Sequence, residues 1–136
     1  MHRPLVAASL LVLSFAPAVA EDCPVKSMAP AEVEKLILAA PSCEQGLKIF
    51  QSCGMGGTSD VIVGAVVVVK CEAVFEGKLS ARQQRAYDRA QAACDKKYAS
   101  ESGSMYRSLT AFCSAEAAAR MAKQVSKTVP ATPAKK

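Results

Sequence analysis

Past residue 30 the apolar positions recur at three- and four-residue intervals, the period of a helix buried on one side. In residues 30–40 they are Val33, Leu36, Ile37 and Ala40. Pro30 suits a first helical position and Pro41 ends the run. Ser42 followed by Gln45 is a capping-box pattern. It opens a short helix carrying Cys43, Leu47, Phe50 and Cys53, after which Gly54, Gly56 and Gly57 break the chain. Ser80 with Gln83 repeats the capping box. The arm it opens sets Tyr87, Ala90 or Gln91, Cys94 and Tyr98 on one face, with Lys96 and Lys97 at the carbonyl end of the helix dipole. Gly103 is placed to turn the chain in a left-handed conformation. Ser104 is expected to cap a last arm whose face is Met105, Leu109, Phe112, Cys113 and Ala117.

Residues 61–69, VIVGAVVVV, break this pattern because nearly every position is apolar. The β-branched content suits a strand. No other segment offers a pairing partner, and a lone strand is not stable. Asp60 can cap a helix and KCEAVFEGK continues one, so the expectation is a buried helix over about 60–76, too short to span a membrane.

The first twenty residues have a different pattern. A basic leader, Met1-His2-Arg3-Pro4, precedes an uncharged apolar run over residues 5–15 and a small-x-small site at Ala18-Val19-Ala20. This is the three-part pattern of a secretory signal peptide, with cleavage expected between Ala20 and Glu21. The remaining chain is one domain in size. Residues 21–123 are expected to form it. Residues 124–136, rich in Lys, Thr, Ala and Pro, are expected to form a disordered basic tail. The destination is the periplasm or the exterior.

Export changes the reading of the six cysteines, Cys23, Cys43, Cys53, Cys71, Cys94 and Cys113. In a short exported chain they imply a disulfide framework. None belongs to a Cys-x-x-Cys pair, against thioredoxin-like or zinc-ribbon readings. Cys94 and Cys113 lie nearly level on two arms folded about residues 100–104, within ~5 Å along the axis, so they can bond. Cys43 and Cys53 would stand ~15 Å apart on one straight helix. Either the helix does not cover both or each has a different partner. The pairing of Cys23, Cys43, Cys53 and Cys71 stays open.

Charge and composition narrow the chemistry. The single histidine, His2, belongs to the leader, so beyond it there is no Ser-His-Asp triad, Cys-His pair or histidine metal ligand. No catalytic, cofactor or metal residue is therefore nominated. The net charge of +5 comes from the ends: residues 21–122 hold twelve basic and twelve acidic side chains. That balance argues against nucleic acid as a partner. Residues 54–59 tempt a phosphate-loop reading, but the lysine and the preceding strand are missing. Glu72 and Glu76 stand one helical turn apart, and paired carboxylates can do acid/base work in glycosidases. No second acidic cluster or aromatic sugar platform accompanies them, and a solvated helix face accounts for them.

Residues 79–121 resemble the exported LprI-like lysozyme-inhibitor family. The shared features are Leu79-Ser80 with Gln83, Tyr87, then Cys94-x8-Gly103-Ser104-x8-Cys113, then Arg120; residues 42–53 match that family's cysteine-bearing first helix more faintly. The family carries a Trp in the helix before the turn, where this chain has Ala86-Tyr87. The resemblance implies an all-helical, disulfide-bonded periplasmic protein that binds a protein such as lysozyme or another cell-wall hydrolase. Together with the periodicity, the expected fold is all-α: a small disulfide-stapled bundle of four to five helices ending in a helical hairpin. The expected function is non-catalytic protein binding. The alternative is a structural or accessory envelope protein whose tail touches anionic cell-wall or lipid surface.

Overall fold

A computed structural model describes residues 22–27 and 29–128. Five helices form the chain: α1 Pro30–Ala39, α2 Cys43–Cys53, α3 Ser59–Phe75, α4 Ala81–Lys97 and α5 Ser104–Thr128. There is no strand among the described residues. The expected cleavage site at Ala20 and Glu21 lies outside them, as do residues 129–136.

Local chemistry sets the helix ends. Pro30 sits in the first turn of α1. The Ser42 hydroxyl accepts from the Gln45 amide at the start of α2. Ser80 and Gln83 complete a reciprocal capping box on α4: the Gln83 amide donates to the Ser80 hydroxyl, and the Ser80 amide donates to Gln83 Oε1. Gly103 has φ 111°, a conformation that strains any residue with a side chain, and it lets α5 start immediately at Ser104.

α3 is the centre of the bundle and touches α1, α2 and α5. It runs parallel to α5. Asp60 meets Ser108 at one end, and Gly64 faces Ala111 one turn further on. Small residues make this approach close. A Cβ added to Gly64 would stand 3.0 Å from both the Ala111 Cβ and the Phe50 ring. Beyond Ala111 the buried face of α5 continues through Ala115, Ala118, Met121, Ala122 and Val125. Phe50 of α2 stacks on Phe112 of α5 with centroids 4.1 Å apart. Gly54 lies so near the Phe112 ring that a side-chain carbon there would overlap it. α4 returns antiparallel along α5. It reaches α3 through Tyr87, whose ring meets Phe75 edge-on at 5.1 Å.

Three disulfides staple the described residues, joining Cys23 to Cys53, Cys43 to Cys71, and Cys94 to Cys113 at Cα separations of 4.8, 4.8 and 5.5 Å. α2 is one helix carrying both Cys43 and Cys53, so each bonds elsewhere. Cys43 reaches α3 and Cys53 reaches the segment before α1. Three disulfides in so small a domain indicate a chain held in an oxidising environment.

The structure departs from the sequence expectations at four places. The 61–69 run is helical, but Val61, Ile62 and Val69 are exposed rather than buried. α3 touches three helices, and its remaining side has no covering element among the described residues. Asp60 does not cap α3. It lies inside the helix, and its carboxylate turns back on the loop before it. The inner face of α5 is rotated from the expected one: Met105 and Leu109 are exposed, while Ser108 is buried against Asp60. Last, α5 continues to Thr128 with Val125 in the core, beyond the expected domain end at residue 123. No described helix is long and apolar enough to cross a membrane.

Gly64→Ala should therefore lower stability by about 1–3 kcal/mol with helicity retained, because Phe50 and Ala111 must both give way. Thermal unfolding followed by circular dichroism measures this. Replacing Cys94 and Cys113 together by Ala should cost about 3 kcal/mol on the chain-entropy account of their loop. A melting point unchanged by the double substitution would contradict it.

Candidate functional site

Two polar knots hold the bundle and absorb the residues whose chemistry drew attention in the sequence. The first is built on Asp60, which is 3% exposed. Its carboxylate accepts the amides of Met55 at 3.2 Å, Gly56 at 2.8 Å and Gly57 at 3.2 Å, and the Ser108 hydroxyl at 2.6 Å. The glycine-rich loop thus forms an amide cradle, but an internal anion fills it. The donors a phosphate would need are already committed. A loop amide bonded to a charged acceptor is a strong hydrogen bond, and here three converge.

The second knot joins α3, α4 and α5. The Tyr87 hydroxyl donates to Glu72 Oε1 at 2.7 Å. Gln91 Nε2 donates to the Tyr87 oxygen at 2.8 Å and to the Ser114 carbonyl at 3.1 Å. Burial pushes the Tyr87 hydroxyl well above its ordinary value of 10.0, and its bond to the Glu72 carboxylate pushes it further. Glu72 therefore works as the acceptor that fixes α4, while Glu76 one turn on is exposed. The two carboxylates do not act as a pair.

One open feature is a groove of about 500 Å³ between the start of α2 and the last turns of α5. Its floor is apolar, from Leu47, Val74, Ala119 and Ala122. Glu44, Glu116, Arg120 and Lys123 stand around it. Glu116 is held from two sides: Gln51 Nε2 donates to it at 3.2 Å, and Arg120 lies 3.9 Å away, one turn along α5. Cys43, bonded to Cys71, fixes the α2 side of the groove at its base. An apolar floor with opposed charges at the rim suits an amino-acid side chain with a polar end.

All six cysteines are taken up in disulfides, and the structure brings Cys94 and Cys113 together across the α4–α5 hairpin. No cluster of side chains able to hold a metal occurs among the described residues. Sequence reasoning missed the Asp60 knot. Its signal was an acid placed three and four residues after paired glycines, which are free to aim their amides at it. It also missed the groove, which exists only once α2 and α5 are docked. The chain matches no protein-family model, no curated protein and no solved structure.

Asp60→Ala should cost about 1.5–3 kcal/mol, the worth of hydrogen bonds to a charged group, and should raise hydrogen exchange at the amides of residues 55–57. Tyr87 gives a pH dependence with a fixed sign. Its folded-state value lies above the unfolded one, so its contribution is complete below pH 10.0 and fades as pH rises toward the raised value. Stability should fall on the alkaline side, and Tyr87→Phe should remove part of that slope. Denaturation midpoints across alkaline pH would check it.

Proposed function

We propose that this chain is an exported, non-catalytic protein-binding module, and that the groove between α2 and α5 receives a side chain of a cell-wall hydrolase such as lysozyme. The observation that carries the reading is the groove itself, with its apolar floor and its ring of opposed charges. The resemblance over residues 79–121 supports it, since Arg120 is one of the shared positions and stands at the groove's edge. The leader-like first twenty residues and the three disulfides support a periplasmic or secreted setting. The region between leader and tail is formally neutral, so attraction rests on shape and burial more than on net charge.

A second reading is favoured by one observation. Lys123 and Lys127 are both exposed on the last turns of α5, where no acid follows Glu116. The chain would then be an accessory envelope protein that touches anionic polymer or lipid through this basic end.

Immobilised lysozyme should retain the wild-type protein, and Leu47→Lys or Arg120→Ala should weaken retention at least tenfold. The Arg120–Glu116 contact is an exposed ion pair and adds little to stability, so Arg120→Ala separates binding from folding. No retention of the wild type even at low salt would exclude lysozyme as the target. Binding to anionic vesicles that is lost in Lys123→Ser with Lys127→Ser would favour the second reading.

A further inference from the structure

We propose that a second copy of this chain covers the outer face of α3, forming an antiparallel two-fold dimer. This goes beyond the groove reading and does not depend on it: Val74, in the floor of that groove, lies on the other side of α3.

The face is a stripe of Val61, Ala65, Val69 and Ala73, each one turn from the next, with Ile62 beside it. Ile62 is 57% exposed and Val69 is 66% exposed. The stripe is ~18 Å long at 1.5 Å per residue. Among the described residues α4 leaves it open: α4 packs along α5, and its hydrogen bond to α3 is the Tyr87–Glu72 bond toward the far end. Beside the stripe runs an apolar groove of about 430 Å³, with Val68 and Ala111 in its wall, which broadens the face. A contiguous apolar surface of this kind marks an interaction site.

The order of residues and the charges select the occupant. In an antiparallel pairing centred between Ala65 and Val69, Val61 meets Ala73 of the partner subunit, and Ala65 meets Val69 of the partner subunit. Each large residue faces a small one, twice over by symmetry, as an isologous contact requires. Arg107 flanks the stripe at the Val61 end, and Glu76 stands beside Ala73 at the other. Neither has a salt-bridge partner among the described residues. The antiparallel copy brings Arg107 toward Glu76 of the partner subunit at both ends. A parallel copy would set Val61 on Val61 and Arg107 on Arg107. The face is a single helix stripe ~18 Å long, so a weak, transient dimer is expected, with a dissociation constant on the order of 10 µM.

Sedimentation equilibrium of the full exported protein tests this. The wild type should be mostly dimeric at about 100 µM, well above that dissociation constant. Val69→Lys, at an exposed position, should weaken the dimer at least tenfold with an unchanged melting point for the monomer. Arg107→Glu and Glu76→Arg should each weaken it several-fold, and the two together should restore it to within about threefold of wild type. A wild type that stays monomeric at that concentration overturns the proposal. So does a dimer indifferent to Val69→Lys, or a charge swap whose losses add instead of cancelling. A monomer that binds phosphatidylglycerol vesicles or immobilised lysozyme through Val69 would assign the stripe to that surface and overturn it too.

Discussion

The contact between α3 and α5 decides whether this chain has one core or two. The disulfides divide the fold. Cys23–Cys53 and Cys43–Cys71 tie the lead-in segment, α2 and α3 together, while Cys94–Cys113 ties α4 to α5. No disulfide crosses from one set to the other. The seam between them is non-covalent, and its width is set by Gly64 against Ala111. At that spacing Phe50 can reach Phe112, and Asp60 can reach Ser108. A wider seam would strand the Asp60 carboxylate without its hydroxyl partner and open a void beside Phe50. Packing and polar satisfaction therefore depend on the same two small residues.

The staples compensate for a thin core. Only 5% of the residues are aromatic, and the buried face of α5 is largely alanine. Alanine allows close approach but buries little apolar area per residue. α2 shows how covalent bonds offset this. Its first residue, Cys43, is fixed to α3, and its last, Cys53, is fixed to the segment before α1. A helix of three turns is marginal alone, yet here both ends are anchored. The groove against α5 inherits that rigidity because Cys43 is among its lining residues.

Local signals in the sequence carried much of the fold. The capping boxes at Ser42 and Ser80, the prolines around α1 and the glycine before Ser104 each act within a few residues, so pattern alone reveals them. The β-branched run over residues 61–69 was legible as helix because no strand partner existed. What pattern could not reveal was rotation. Which side of α5 faces inward depends on where α3 stands, and Ser108 went inside because Asp60 was there to receive it. Leu109 and Met105, apolar and at helical spacing, were left outside for the same reason. Pattern alone does not separate the Asp60 carboxylate from a helix cap, because its oxygens can accept from either the helix amides or the loop amides. The glycines decided in favour of the loop. The groove was invisible at the sequence level, since its two walls are about seventy residues apart.

The exposed stripe on α3 follows from the same division. Cys94–Cys113 ties α4 to α5. The Tyr87–Glu72 bond draws α4 toward α3 at the Phe75 end alone, so the gap stays open toward Val61. An apolar helix side left open in this way is safe only while the helix persists: as helix, its backbone donors and acceptors are satisfied internally. Unfolded, VIVGAVVVV would be a segment of high β-propensity with no charge, suited to pairing with copies of itself. Holding α3 helical therefore guards against aggregation as well as building the core, and the Cys43–Cys71 bond near its C-terminal end serves both ends at once.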